Sequence, residues 1–435
     1  MVKYQGLFTL FCVIIGLRTE VDMKKVMILG VGAQGSTVAR KLDEEQGVDE
    51  IICADHNEKA VTEIVKSLKK ARGAKVDGRD KGEIANAAEG AFLIVNALPL
   101  EFGKAALEAA LEVRSNYQDF AAPSNIIEGD PDETWADGIK VLYADYGRRF
   151  AEADRTAVIA TGSAPGLICV AARRAVRELD ECDTIIMFVY EGVEAKRFLP
   201  FWWSPVSALN DMAGRAYAFE NGELIRTPPF GRPVRKKFPE MGGLEAEFIE
   251  HDHDEPVHMG INAEKFFKGA KNIYFKYGGV GASFARPLFR AGLLSKKEET
   301  VKGRKVVPFD LILAHIPPAP KTPEEIREII GEGLISDTGA FVIEAYGKKG
   351  GKNVMVDAHV FAPGMAESFE RSGLTAEMYL TGQSGFLFTK MFLNDKYAQR
   401  GLISSDMLTD DQVDYYLDQA AKLNITCRIE VKTEG

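Results

Sequence analysis

An apolar run, Lys-Val-Met-Ile-Leu at residues 25–29, breaks into Gly30-Val31-Gly32-Ala33-Gln34-Gly35. A helix-like stretch follows, then a second apolar run that ends on Asp55. Short apolar stretches at 75–77, 92–97, 117–120 and 140–143 read as strands, and residues 103–113 read as helix. Strands that alternate with helices predict a parallel, doubly wound sheet, the α/β Rossmann arrangement. Beyond Gly162 the pattern changes. Residues 167–179 read as a helix after the turn Gly162-Ser163-Ala164-Pro165-Gly166. The runs at 184–190, 272–277, 341–346 and 353–360 read as strands, the last two joined across a glycine-rich hairpin at 347–351. That predicts a second, α+β domain with a mostly antiparallel sheet. Thr322 with Glu325 and Thr409 with Gln412 have capping-box spacing, and each predicts a helix start.

The glycine turn carries the first candidate chemistry. Gly30 lets the chain leave the strand sharply, Gly32 lets backbone approach a pyrophosphate, and Gly35 seats the helix against the sheet. The helix N-terminus, at Ala33 and Gln34, offers free N–H groups and positive dipole. Asp55, twenty positions after Gly35, suits the two hydroxyls of an adenosine ribose and repels a 2′-phosphate. His56 follows it, with no arginine beside it. The expected cofactor is therefore NAD, with NADP not excluded, and FAD shares the same turn. Ligands on such sheets lie beyond the carboxyl ends of strands. That places Asp77, Asn96, Ala97, Leu98, Pro99, Asp119 and Gly162 at the cofactor crevice.

Composition narrows the class. The 435 residues suit two domains, and 46% hydrophobic with 27% charged is ordinary for a globular protein. A net charge of −10 argues against nucleic acid or an anionic membrane as partner. The five cysteines have no paired spacing, which suits free thiols in the cytoplasm. Residues 1–22 include an apolar run too short to span a bilayer, with no cleavage pattern after it. They are expected to lie outside the fold. His251, His253 and His258, with neighbouring acids, are metal-ligand types. They are expected in a polar loop with no metal, and residues 232–237 in a solvated basic loop. Gly278-Gly279-Val280-Gly281 reads as a structural turn.

With these motifs in order, the chain resembles the saccharopine dehydrogenase family from about Lys24 to its last helix. The resemblance rests on Gly30, Gly32 and Gly35, on Tyr117 and Asp119 at a strand end, and on Gly162, Pro165 and Gly166. It extends to Trp203-Ser204-Pro205, to Thr381-Gly382 and to Gly401-Leu402-Ile403. It implies a dinucleotide-binding domain over 23–150, a substrate and dimerisation domain over 151–373, and C-terminal helices over 374–435 that return to the first domain. It also implies hydride exchange with NAD(P) at a carbon beside a C–N bond of an amino acid, an amine or an opine-type conjugate, in a homodimer.

Asp119 is the candidate catalytic acid, able to stabilise an iminium charge. Tyr117, Arg197 and Trp203 are the candidate substrate ligands, Arg197 as a carboxylate clamp. Two positions depart from the family pattern. Ala164 stands where aspartate is frequent, which looks more like the lysine 6-dehydrogenase branch of lysine metabolism. Tyr277-Gly278-Gly279-Val280 lacks the histidine found there in many members. The competing readings are oxidative deamination of a terminal amine and a catalytically silent NAD-binding protein.

Overall fold

The computed structural model describes residues 24–433, so the expectation for residues 1–22 lies outside the described residues. The first sheet takes β1 (Lys24–Leu29), β2 (Val48–Asp55), β3 (Ala71–Lys75), β4 (Leu93–Asn96), β5 (Asn116–Asp119) and β6 (Thr156–Ile159). The glycine turn leads from β1 into helix α1 (Ala33–Glu44), and α2 (Leu167–Val176) follows the Gly162 turn. The second sheet is built on β7 (Glu181–Glu191), β8 (Asn272–Gly279), β9 (Gly339–Lys349) and β10 (Lys352–Phe361). The chain then runs through α3 (Ala376–Leu393), β11 (Gly401–Ser404), α4 (Asp410–Ala421) and β12 (Thr426–Thr433).

The seven-stranded sheet has the order β11-β6-β5-β4-β1-β2-β3, parallel throughout. Its central strands are apolar because both faces are covered: Val26 to Leu29 and Leu93 to Val95 are fully buried. The second sheet has nine strands. Two short strands, Ala216–Glu220 and Glu223–Thr227, flank one edge, and β8, β7, β9, β10 and β12 continue from them. Only β8 and β7 run parallel there; every other neighbouring pair is antiparallel. The α/β plus mostly antiparallel α+β expectation matches this architecture. Both capping boxes form as their spacing predicts, at Thr322 with Glu325 and at Thr409 with Gln412.

Several local expectations are corrected. Residues 140–143 are not a strand. Pro131–Val141 is helical and continues through Leu142–Tyr146 into Gly147–Glu152. Ile139, Leu142, Tyr146 and Phe150 are all buried, and their spacing of three and four is that of one helix face. The next strand of the first sheet is Thr156–Ile159, beyond residue 150. The strand expected at 75–77 is Ala71–Lys75, which leaves Asp77 in the loop after it. Residues 232–237 are not a solvated loop, because Val234–Phe238 is a strand of a hairpin with Leu244–Glu250. The segment after that hairpin is not a polar loop either: His251, Glu255 and His258 are buried. The C-terminal segment serves both sheets, β11 pairing with β6 and β12 with β10.

Helix α3 ties the two parts together. A Cβ added at Gly382 would lie 2.8 Å from Thr37 of α1, and one at Gly385 would lie 2.3 Å from the Phe120 ring. Gln118 of β5 donates to the Gly385 carbonyl (2.8 Å) and accepts from Thr389 (2.9 Å). Ser384 donates to the carbonyl of Gly162 (2.5 Å) and bonds Tyr416 of α4 (2.6 Å). Gly382→Val should lower the thermal midpoint, with a cost of about 1–3 kcal/mol from overpacking. It should also weaken NADH binding, because α1 carries the glycine turn. Melting curves and fluorescence titration check both outcomes.

Candidate active site

The three glycines meet three different demands. Gly30 has φ +93°, and a Cβ there would sit 2.9 Å from the Ala97 carbonyl oxygen. Gly35 lies so close under β1 that a Cβ would fall 1.9 Å from the Gly30 carbonyl oxygen. Gly32 is the opposite case: a Cβ would meet nothing within 4 Å. The missing side chain at Gly32 therefore leaves open space above the helix N-terminus. Ala33 and Gln34 form the first turn of α1, and Gln34 Oε1 is shielded from solvent without a hydrogen-bond partner. An orphaned acceptor beside this cradle is consistent with a ligand that completes it.

Asp55 ends β2. Its Oδ2 accepts from the Val31 N–H (3.0 Å) and its Oδ1 from the Asn57 N–H (2.9 Å), with the exposed His56 ring 3.0 Å away. The carboxylate is thereby fixed at the rim of the glycine turn. Asp77 holds Arg79 at 2.7 Å, and that guanidinium, with its backbone N–H, pulls the carboxyl down to about 2. Ala97, Leu98 and Pro99 border the turn from β4. The Ala97 N–H bonds Leu29, and Leu98 Cδ2 is 3.0 Å from where a Gly30 Cβ would be. Gly162 lies beyond β6, its N–H on the Phe120 carbonyl.

The candidate acid and two candidate ligands are placed differently from expectation. Asp119 is buried at the end of β5. Its Oδ2 accepts from Tyr117 Oη (2.5 Å) and Asn96 Nδ2 (2.9 Å), and its Oδ1 from the Ala121 N–H (3.3 Å). Burial raises its carboxyl to about 6, although those hydrogen bonds pull the other way. Tyr117 is fully buried and packs towards Phe150, 6.5 Å between ring centroids, so it presents no group to a substrate. Arg197 is no clamp. Its guanidinium is held by Glu328 (2.5 Å) and Glu332 on the helix Pro323–Glu332.

Trp203 touches a residue that lines a pocket rather than lining one itself. Its Nε1–H donates to Glu191 Oε2 (2.9 Å), and Tyr277 Oη donates to the same oxygen (2.7 Å). Glu191 ends β7 and lines a cavity of about 380 Å3 that also has Ser163, Asp337 and Glu377 on its wall. Ser163 belongs to the Gly162 turn and bonds Thr381 of α3 (2.8 Å), which links this cavity to the cofactor side. Among the described residues, four acids and no lysine, arginine or histidine line it: Glu191, Glu240, Asp337 and Glu377. Asp337 is spoken for, since it accepts from the N–H groups of Met365 (2.7 Å) and Ala366 (3.2 Å). Glu377 Oε2 is buried without a partner. Glu191 and Glu377 were not singled out in the sequence. The available signals were an acid at the end of a middle-domain strand, before Gly192, and an acid in the first turn of an apolar helix. Elsewhere His253 bonds Glu255 (2.6 Å) and stacks flat on Phe275, and among the described residues no cluster has metal-site geometry.

Gly32→Leu should leave the apoprotein's melting temperature within about 1 °C, because the added atoms enter open space. It should reduce NADH affinity at least tenfold by fluorescence titration. Asp119→Ala should behave in the opposite way. Stranding Asn96 and Tyr117 without their acceptor should cost about 1–3 kcal/mol in denaturant unfolding.

Residues 26–158 match the family model described as the saccharopine dehydrogenase NADP binding domain. Over 413 residues the chain is 25% identical to carboxynorspermidine synthase of Vibrio alginolyticus, covering 89% of this chain and 92% of that protein. In fold it is similar to saccharopine dehydrogenase (L-Glu forming) from Saccharomyces cerevisiae. The TM-score is 0.65 at 13% identity, over 94% of this chain and 99% of that one. It is also similar to homospermidine synthase from Legionella pneumophila in complex with NAD, with a TM-score of 0.60 at 14% identity, over 95% and 91%. Residues 26–158 thus match the saccharopine dehydrogenase NADP binding domain, and the chain is an NAD(P)-dependent oxidoreductase similar to saccharopine dehydrogenase in fold.

Proposed function

We propose that this oxidoreductase acts on the C–N bond of a cationic amine conjugate, a polyamine carrying an amino-acid-type carboxyalkyl group. The observation that carries this reading is the cavity beside the Gly162 turn, lined by carboxylates and by no cation. An amino acid bound through its carboxylate alone would meet repulsion there, whereas an ammonium group is attracted. The name of the Vibrio relative, a carboxynorspermidine synthase, agrees with that chemistry.

In this reading Gly30, Gly32, Ala33, Gln34 and Gly35 hold the diphosphate, and Asp55 holds the adenosine ribose. Ala97, Leu98, Pro99 and Gly162 border the crevice. Glu191 holds the ammonium, with Glu377 facing it and Trp203 as donor to Glu191. When bound, the nicotinamide exchanges a hydride with the carbon next to the nitrogen. The chain's own residues orient that carbon, keep water away and fix the charge of the nitrogen. Asn96, Tyr117 and Asp119 act from below, as a hydrogen-bonded unit that sets the strand ends. NAD is the preferred cofactor, because Asp55 is anchored where a 2′-phosphate would have to lie. The working form is a homodimer in the cytoplasm. Consistent with a reducing compartment, Cys53, Cys169, Cys182 and Cys427 are free thiols.

Purified protein should reduce NAD when given carboxynorspermidine, with no release of free ammonia. Ammonia release from lysine or a diamine would identify the terminal-amine deamination instead. Absence of turnover with every amine and amino acid tried would leave a silent NAD-binding protein. NADH should bind at least tenfold more tightly than NADPH, and Asp55→Ala should narrow that gap, read by fluorescence titration of both cofactors.

A further inference from the structure

Glu191 and Glu377 come from different parts of the chain, one at the end of β7 and one in the first turn of α3. They line the same two spaces, the 380 Å3 cavity and a smaller void walled by Phe201, Trp202 and Tyr277. Their environments are unequal. Glu191 Oε2 receives two donated hydrogen bonds, from Trp203 and Tyr277, which favour its charged form. Glu377 Oε2 is buried and receives none. Thr375 and the residue's own N–H bond the Glu377 carboxyl, which leaves that one oxygen open. Two carboxyls at one site with unequal donors divide the roles of base and acid between them.

The helix that carries Glu377 also leads to the cofactor. One turn on, Thr381 bonds Ser163 of the Gly162 turn, and the next residue, Gly382, lies against Thr37 of α1. Glu377 is therefore held on the same rigid element that packs on the glycine turn. The charged and titratable groups that face the pair or share its cavity are Tyr190 on β7, Tyr277 on β8, Glu240 and His253 on either side of the strand Leu244–Glu250, Asp337 before β9, and the two glutamates themselves.

We propose that Glu191 and Glu377 share one proton and that Glu377 delivers it to the reacting nitrogen. The inference rests on the C–N oxidoreductase reading above. In the direction of reduction, the neutral C=N nitrogen takes the proton from the Glu377 carboxyl and becomes an iminium, and the Glu377 O–H bond is the one that breaks. The carbon then gains the hydride supplied by the reduced nicotinamide cofactor, and the C=N double bond becomes a single bond. The pair regains its proton from solvent. Burial raises the Glu191 carboxyl, and the donors Tyr277 and Trp203 oppose that; as a carboxylate, Glu191 stabilises the iminium while it exists. Burial first, and then the facing Glu191 charge, raise Glu377 to about 8, so the carboxyl keeps its proton at neutral pH.

Two measurements test this. The first needs no substrate: infrared difference spectra of the apoprotein between pH 6 and about pH 10. Asp119, Asp211 and Asp254 also titrate near the lower end of this range. Among the protonated-carboxyl bands, the one that titrates highest should be missing from Glu377→Gln and present, shifted, in Glu377→Asp. Identical spectra for wild type and Glu377→Gln overturn the proposal. The second is the pH profile of turnover in the direction of reduction, with NADH and the carbonyl and amine precursors of carboxynorspermidine. The wild-type rate should fall as pH rises through the Glu377 titration. Glu377→Gln should be slower by on the order of 10²-fold and lose that limb, while its NADH affinity stays unchanged. A Glu377→Gln rate and profile equal to wild type, with only KM raised, overturn the proposal in favour of a purely binding role. If the wild type turns over none of these compounds, the substrate reading of the preceding subsection fails on its own, and the infrared band alone decides whether the pair shares a proton.

Discussion

The fold depends on how closely Ala376–Leu393 can approach its neighbours. The helix is buried along most of its length and touches the glycine-turn helix, the ends of β5 and β6, and Asp410–Ala421. Close approach demands small residues at two positions one turn apart. Gly382 yields to Thr37, and Gly385 yields to the Phe120 ring. The polar groups brought inside by that approach are satisfied locally: Gln118, Ser384 and Thr389 bond backbone carbonyls or one another. An unsatisfied amide or hydroxyl at this depth costs about 1–3 kcal/mol, so these bonds are a condition of the packing rather than an addition to it. One end of the helix thus sits on the cofactor cradle and the other opens, through Glu377, into the cavity of the second domain.

What could be read from the sequence follows from how local the constraint is. The turn at Gly30, Gly32 and Gly35 is legible because each glycine answers a backbone demand within a few residues. The capping boxes at Thr322 and Thr409 are legible for the same reason. Ile139 and Leu142 were ambiguous, since a short apolar run does not distinguish strand from helix until Tyr146 and Phe150 extend the period. Thr156–Ile159 and Gly401–Ser404 are four-residue strands that pair with each other across more than 240 positions of sequence. Nothing inside either segment announces that pairing.

The candidate site shows the same division more sharply. Asp119 does stand at a strand end, as its position implies. Its carboxylate, however, turns back to Asn96 and Tyr117, and that choice depends on a second strand and a tyrosine two residues earlier. Arg197 has the right chemistry for a carboxylate, but Glu328 and Glu332, a helical turn apart, take it first. Glu191 and Glu377 are unremarkable as sequence. They become a pair only when the second sheet and the bridging helix meet, and neither the strand nor the helix carries a mark of the other.

Burying carboxylates is unfavourable, and a chain selected for stability alone would have an apolar wall at Glu191 and Glu377. Here the unfavourable groups are instead braced. Tyr277 is fixed from behind by the His251 ring, 4.7 Å between centroids, so its hydroxyl stays aimed at Glu191. Trp203 leaves the adjoining turn just ahead of the helix Pro205–Ala213 and aims its N–H at the same oxygen. Two donors on one carboxylate oxygen lower the cost of its charge and fix its rotamer, and Glu377, with one oxygen unpartnered, is left as the group whose state a bound cation would change. A binding wall that needed only negative potential could have placed both acids at the solvent edge, where they cost little. Placing them inside, unequally solvated and on the helix that also packs against the cofactor turn, is the arrangement expected where proton and hydride must be handled at one nitrogen and its neighbouring carbon.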